Sequence, residues 1–196
     1  MERATNYGLL VALNMPPRVF KKVFQANGQE KKKAGVAILI AGKIDFKTKA
    51  IKRDIEGHFI ILKGRIHQED INIVNICAPN TRAPKYIRKI LEDFKKDIDT
   101  NTLILADFNT PLSKMYRSSK QNIDQDIAAL NNALGQMDFT DIYRTLHPKE
   151  AKYTLFSNAY GTFSKIDLMI GHKTSLNKFK KIQSISCDFL EHTGLK

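Results

Sequence analysis

Leu103-Ile104-Leu105-Ala106, followed at once by Asp107-Phe108-Asn109-Thr110-Pro111, is the stretch on which the reading of this chain turns. An unbroken apolar run fits a strand buried on both faces, because a half-exposed strand alternates with a period of two. The run stops at an acidic residue and passes into Asn, Thr and Pro, a loop composition. Loops leaving strand ends are where α/β proteins place reacting groups. A carboxylate close to a carboxamide offers one group that accepts a proton and another that donates to an oxyanion. Asp and Asn are also ordinary turn formers, so the pair alone is open to both readings.

Working outward, residues 34–40, 57–66 and 71–77 are rich in branched apolar side chains and read as strands. His67-Gln68-Glu69-Asp70 between the last two is polar and of hairpin length, and Ala78-Pro79-Asn80 ends the third. Pro84 marks a helix start, with Ile87, Ile90, Leu91 and Phe94 at helical spacing and an end expected near Asp99. A second helical pattern runs through Ile123, Ile127, Leu130, Leu134 and Met137. Short strands are expected at 153–156, 164–170 and 182–189. Residues 1–17 match nothing downstream, and Pro16-Pro17 reads as a break. Hairpin-like strand pairs exclude a purely parallel sheet, so mixed sheets covered by helices is the economical architecture.

The 196 residues fit one domain, and the 42% apolar content suffices for a sizeable core. No apolar run approaches the roughly 20 residues needed to span a bilayer, and residues 1–13 lack a small-residue cleavage site. The expectation is a nuclear or cytoplasmic protein, neither secreted nor in a membrane. Cys77 and Cys187 lie far apart and suit a reducing compartment, with little support for a disulfide or zinc site. The net charge of +12 is concentrated in the first third, at Lys21, Lys22, Lys31, Lys32, Lys33, Lys43, Lys47, Lys49, Lys52 and Arg53. Such a field suits DNA, or RNA, as partner; a solvated lysine-rich surface is the plainer reading.

Two further groups could carry chemistry. Ser164-Lys165-Ile166-Asp167 brings a carboxylate into an apolar segment, where a buried charge requires a partner. Glu191-His192-Thr193 follows a strand-like run, and a carboxylate such as Asp167 could fix the His192 ring.

Five strings occur in an order that resembles the endonuclease domain of LINE-type retrotransposon polyproteins. They are Lys33-Ala34-Gly35-Val36-Ala37-Ile38-Leu39, Ile76-Cys77-Ala78-Pro79-Asn80-Thr81, Ala106-Asp107-Phe108-Asn109-Thr110-Pro111, Asp141-Ile142-Tyr143-Arg144-Thr145-Leu146-His147-Pro148, and Ser164-Lys165-Ile166-Asp167. That domain belongs to the endonuclease/exonuclease/phosphatase superfamily, with the apurinic endonucleases and DNase I. The resemblance divides the chain into a divergent segment, 1–21, and an incomplete domain, 22–196. It implies an α/β fold of two packed mixed β-sheets flanked by helices, a four-layer DNase I-like sandwich, lacking N-terminal strands and the last strand.

It also implies phosphodiester hydrolysis that nicks DNA with Mg2+, or Mn2+. Asp107 would align the attacking water or assist the leaving oxygen, and Asn109 would hold Asp107 and the phosphate. Asp167 and His192 would form the aspartate–histidine pair, with Glu191 near the metal. The 157–163 loop would enter the DNA minor groove, and Asn80, Thr154, Ser157, Asn158 and Lys165 would contact DNA.

The pattern fails in specific places. The strand whose glutamate binds the metal is not recognisable, and Glu30 lies in a basic turn. The tyrosine expected before Ala-Pro-Asn is Cys77, a short, weak donor in place of a phenol. Leu168 replaces a histidine after Asp167. Losing one preorganised electrostatic group typically costs about 10²–10³ in rate. The expectation is therefore weak or absent cleavage, with a non-catalytic nucleic-acid-binding fragment or a retrotransposon remnant as the alternative.

Overall fold

The computed structural model describes residues 9–13, 20–27, 35–119, 124–150, 152–158, 161–179, 184–185 and 194–195. The first strands are β1 (Leu9–Leu13), β2 (Phe20–Asn27), β3 (Gly35–Ala41), β4 (Phe46–Arg53), β5 (Phe59–Ile66) and β6 (Glu69–Cys77). Helix α1 (Ala83–Asp93), strand β7 (Thr102–Asp107) and helix α2 (Gln125–Gln136) follow. Then come β8 (Phe139–Asp141), α3 (Ile142–Leu146), β9 (Leu155–Ser157), β10 (Thr162–Ser164) and β11 (Asp167–His172). Two short strands, β12 (Ser184–Ile185) and β13 (Gly194–Leu195), complete the order.

These strands form a six-stranded sheet, β4-β5-β6-β7-β11-β8, a five-stranded sheet, β12-β13-β1-β3-β2, and a separate β9–β10 hairpin. Both larger sheets are mixed: β6 with β7 and β1 with β3 are parallel, while β5 with β6 and β2 with β3 are antiparallel. The continuous apolar run of β7 has its cause here. Leu103 and Leu105 join a cluster with Ile38, Ile40, Ile60, Leu62 and Met169 between the two sheets. Ile104 and Ala106, on the opposite face, pack with Ile87, Ile90 and Leu91 of α1 and Ile127, Leu130 and Leu134 of α2. Each such fully buried side chain contributes about 1.5–3 kcal/mol. The two-faced burial, the mixed sheets and the covering helices are those expected from the sequence.

Helix α1 starts at Ala83 with Pro84 in its first turn, and buried Ala83, Ile87, Ile90 and Leu91 lie on one stripe. It ends at Asp93, short of the expected Asp99, because residues 94–97 turn at Phe94, whose carbonyl accepts from the Asp97 and Ile98 N–H groups. Helix α2 starts where the side chain of Asp124 accepts from the Ile127 N–H at 2.8 Å.

Several strands differ from the sequence reading. No strand was expected before residue 34, yet β1 pairs in parallel with β3 from Leu9↔Val36 to Leu13↔Ile40, and β2 pairs on the other side of β3. A register shift between Phe20 and Lys22 breaks the alternation that would have announced β2. Strand β13 lies beyond His192, where no room for a core strand was expected, and pairs Leu195 with Val11. Strand β4 went unread because it is an exposed edge half of whose side chains are Lys or Arg. The single strand expected at 164–170 is two, β10 and β11. Between them the Lys165 N–H turns away to the Tyr116 carbonyl at 2.8 Å. Of 182–189, only residues 184–185 fall within the described residues, as β12. No described helix is long and apolar enough to cross a membrane.

Candidate active site

Three adjacent strands of the larger sheet bring Cys77, Asp107 and Asp167 to one level. Cys77 at the end of β6 is the register partner of Asp107 at the end of β7, and Asp107 is the partner of Asp167 at the start of β11. Register partners point to the same face. Here it is the face between the sheets, since Leu105 and Met169, two residues along their strands, lie in the inter-sheet cluster. The two carboxylates are buried, Asp107 at 3% exposure and Asp167 at 0%. Directly opposed side chains in a ladder have Cβ atoms about 4.5–5.5 Å apart, so like charges there repel.

The loop after β7 braces this pair. Asn109 adopts a left-handed backbone (φ 45°), a conformation asparagine tolerates better than most residues. That turn points its N–H back to Asp107 Oδ1 at 2.9 Å, while its side-chain Nδ2 donates to the Ala78 carbonyl at 2.6 Å. The Ala78 N–H in turn donates to the Asp107 carbonyl at 2.9 Å. The 106–111 and 76–81 strings are thereby locked to each other, and Asp107 is aimed by both. Asn80, two residues beyond Ala78, is exposed on the same loop.

Cys77 is a thiol held out of chemistry. Burial first, then the nearby Asp107 and Asp167 charges, push its pKa up to about 12, so it stays protonated at neutral pH. Nucleophilic use of Cys77 is thereby disfavoured.

Two expected DNA contacts prove to be internal. Lys165, 4% exposed, donates from Nζ to Asp141 Oδ2 at 2.9 Å and lies over the Tyr143 and Tyr116 rings. Burial holds its ammonium below the usual lysine range, with the Asp141 charge pulling it back. The Tyr116 hydroxyl donates to the same Asp141 oxygen at 2.6 Å, and the Arg144 N–H to Oδ1 at 3.2 Å. Thr154 is also buried, its Oγ1 accepting from the Ile166 and Asp167 N–H groups at 3.1 and 3.2 Å. Lys165 and Thr154 therefore fix the approach to Asp167 and present no surface to a duplex. Of the other expected contacts, Asn158 is exposed and Ser157 half-buried on β9 and its turn. Glu191 and His192 lie outside the described residues.

Sequence reasoning missed Asn75, which is fully buried in β6 and donates from Nδ2 to the Ala37 carbonyl of β3 at 3.0 Å. It ties the two sheets together just behind the acid pair. Its signal was available, since a carboxamide inside an apolar strand must satisfy its donors internally.

As for a metal, Asp107 and Asp167 are hard oxygen ligands of the kind magnesium and manganese take. Among the described residues, however, no group of three or more His, Cys, Asp or Glu side chains is placed to hold an ion. The described donors match a hard cation in kind and fall short in number.

No family model matches the sequence. Solved structures do. The endonuclease domain of TRAS1, a telomere-specific non-LTR retrotransposon, aligns at TM-score 0.67 and 15% identity, over 89% of this chain and 77% of its own. An AP endonuclease from Archaeoglobus fulgidus aligns at TM-score 0.62 and 16% identity, over 88% and 77%. The 3' phosphatase NExo from Neisseria, bound to a product DNA hairpin, aligns at 0.61 and 14%, over 88% and 77%. The chain shares the fold of these DNase I-like proteins.

Proposed function

We propose that this chain is a DNA phosphodiesterase by descent, of LINE retrotransposon endonuclease type, that nicks DNA slowly at most. The observation that carries the reading is the Asp107–Asp167 pair, set opposite one another between the sheets with Asn109 bracing Asp107. Two acids facing each other cost stability, and such an arrangement is typical of sites kept for reaction. The kinship in fold with a retrotransposon endonuclease and an AP endonuclease supports a nucleic-acid backbone as substrate.

In this reading Asp107 takes the proton from a water whose oxygen attacks phosphorus, the P–O bond to the leaving sugar oxygen breaks, and that oxygen takes up a proton from solvent to leave as the alcohol. Asn109 keeps Asp107 aimed. Asp167 orients the His192 imidazole toward the phosphate. A divalent cation, when bound, would neutralise charge developing on the phosphate. Because the sequence has no recognisable metal-binding glutamate and carries Cys77 where a tyrosine is expected, that neutralisation is weak in this reading, and the rate falls by the orders of magnitude expected for missing electrostatic groups.

The test is conversion of supercoiled plasmid to nicked circles with magnesium, by the wild type and by Asp107→Ala and His192→Ala. Slow nicking lost in both variants supports the reading; equal nicking in all three overturns it. The second reading, a nucleic-acid-binding fragment without catalysis, is favoured by the exposed Lys47 and Lys49 of β4 and the +12 net charge. It predicts DNA affinity that falls steeply with salt and survives His192→Ala.

A further inference from the structure

Strand β4 is an open edge. It begins the six-stranded sheet and, among the described strands, pairs with β5 alone, so a row of its backbone N–H and C=O groups faces outward. A register shift between Thr48 and Ala50 interrupts the ladder. Beyond it, Ala50-Ile51-Lys52-Arg53 runs regularly against residues 60–63. The edge is held in place from the other sheet: Arg53 Nε donates to the Gln25 carbonyl of β2 at 2.9 Å, and the Lys22 ammonium of β2 to the Phe46 carbonyl.

The side chains of this edge are cationic. Lys47, Lys49, Lys52 and Arg53 are exposed, and β4 contains no acid. A second copy of the chain is therefore an unsuitable occupant. Its own β4 would set Lys and Arg against Lys and Arg, and like charges across a ladder repel. Lysines guard many sheet edges in this way. They turn away a basic strand and leave the edge open to an acidic one.

A cavity at the start of β4 adds a second element. Asp45, Lys47, Arg65, His67 and Gln68 line a polar space of about 330 Å³ beside the β5–β6 turn. Lys47 and Arg65 are register partners, side by side on one face. This surface already holds one acid. Asp70 accepts from Lys49 Nζ at 2.7 Å and Arg65 Nε at 2.8 Å, and these two bonds keep its carboxyl below the usual carboxylate range. Lys47, whose Nζ is 3.9 Å from Asp45, remains for another.

An open edge with a pocket beside it is the equipment of strand addition, in which backbone pairing supplies affinity and the pocket selects a side chain. We propose that β4 receives an extended acidic segment of a partner protein, which extends the larger sheet and places a carboxylate in the cavity lined by Lys47, Arg65 and His67. This surface is separate from the acid pair. Strand β4 stands three strands from β7, roughly 14 Å across the sheet. The cavity sits at the Glu69 end of β6, whereas Asp107 is level with Cys77 at the other end.

The test is fluorescence anisotropy of the full chain with a labelled peptide of alternating Glu and Val, about as long as β4, alongside hydrogen exchange of the β4 amides. The peptide should bind and slow exchange of the outward-facing amides between Ala50 and Arg53. Methylating its backbone nitrogens keeps every charge, removes the donors, and should weaken binding at least about 10-fold. Lys47→Glu combined with Arg65→Glu should weaken it about 10-fold as well, with the unfolding midpoint near wild type. Equal affinity for the methylated peptide, or β4 amides that exchange as in the free chain, would overturn strand addition. Unchanged binding by the Lys47→Glu/Arg65→Glu variant would overturn the part given to the cavity. A chain that binds a DNA duplex but not the acidic peptide overturns the proposal and leaves the basic edge to nucleic acid.

Discussion

Asp141 and the Asp107–Asp167 pair are buried aspartates at two places on the same sheet, and their surroundings differ in kind. Asp141 receives the Tyr116 hydroxyl, the Lys165 ammonium and the Arg144 N–H, a positive, donor-rich nest. Asp107 faces another carboxylate across the ladder and takes its described hydrogen bond from the Asn109 N–H. A carboxylate that serves the fold is surrounded by donors. Carboxylates set opposite one another repel, and under the proposed function Asp107 and Asp167 are kept for what they do to a substrate.

The sharpest way to break this contrast is at Asp141. Asp141→Ala should cost about 3–5 kcal/mol, read as a fall in the chemical-denaturation midpoint, because it strands a buried ammonium. Asp141→Leu combined with Lys165→Met should recover most of that loss. If Asp141→Ala unfolds no more easily than wild type, the nest is not structural. A second variant sharpens the other side. Asn109→Ala should lose about 1–2 kcal/mol, for its bond to the Ala78 carbonyl and the left-handed backbone that alanine resists. Asn109→Gly should keep the turn and still lose the brace, separating geometry from the side chain's bond.

Asp107→Asn should shift stability by under about 1 kcal/mol, since the like-charge repulsion it relieves offsets any hydrogen bond weakened. A loss as large as that of Asp141→Ala would erase the distinction between the two sites. Cys77 gives the smallest and most local effect. With its pKa raised to about 12, the thiolate fraction at pH 8 is about 10⁻⁴, against about a quarter for an ordinary thiol. Alkylation of Cys77, followed by peptide mapping of the native chain, should therefore be slow at pH 8 and accelerate as pH rises. Modification at the rate of a free thiol would contradict the burial of Cys77 beside the acids.

The parts of the fold that follow period and punctuation were legible in the sequence. The β7 run, the two longer helices, the β5–β6 hairpin and the loop bearing Asp107 and Asn109 needed no tertiary information. What escaped depends on partners distant in the chain. Residues 9–13 form a strand only because β3 offers its edge, and β4 is a basic edge with no alternation to read. At the candidate site, Asp107, Asn109 and Asp167 stood out because a carboxylate or carboxamide at the mouth of an apolar strand is conspicuous, but the pattern alone left a plain turn equally open and the resemblance singled them out. That Lys165 turns inward could not be read, because its Tyr116, Asp141 and Tyr143 surroundings come from separate segments.

The account stands on the acid pair being a reaction centre, and plasmid nicking by wild type, Asp107→Asn and an Asp141→Leu/Lys165→Met variant tests it most directly. With magnesium present, slow nicking should persist when the structural nest is replaced and fall about 10²–10³-fold, or below detection, in Asp107→Asn while its unfolding midpoint stays near wild type. Nicking by Asp107→Asn at the wild-type rate would contradict it.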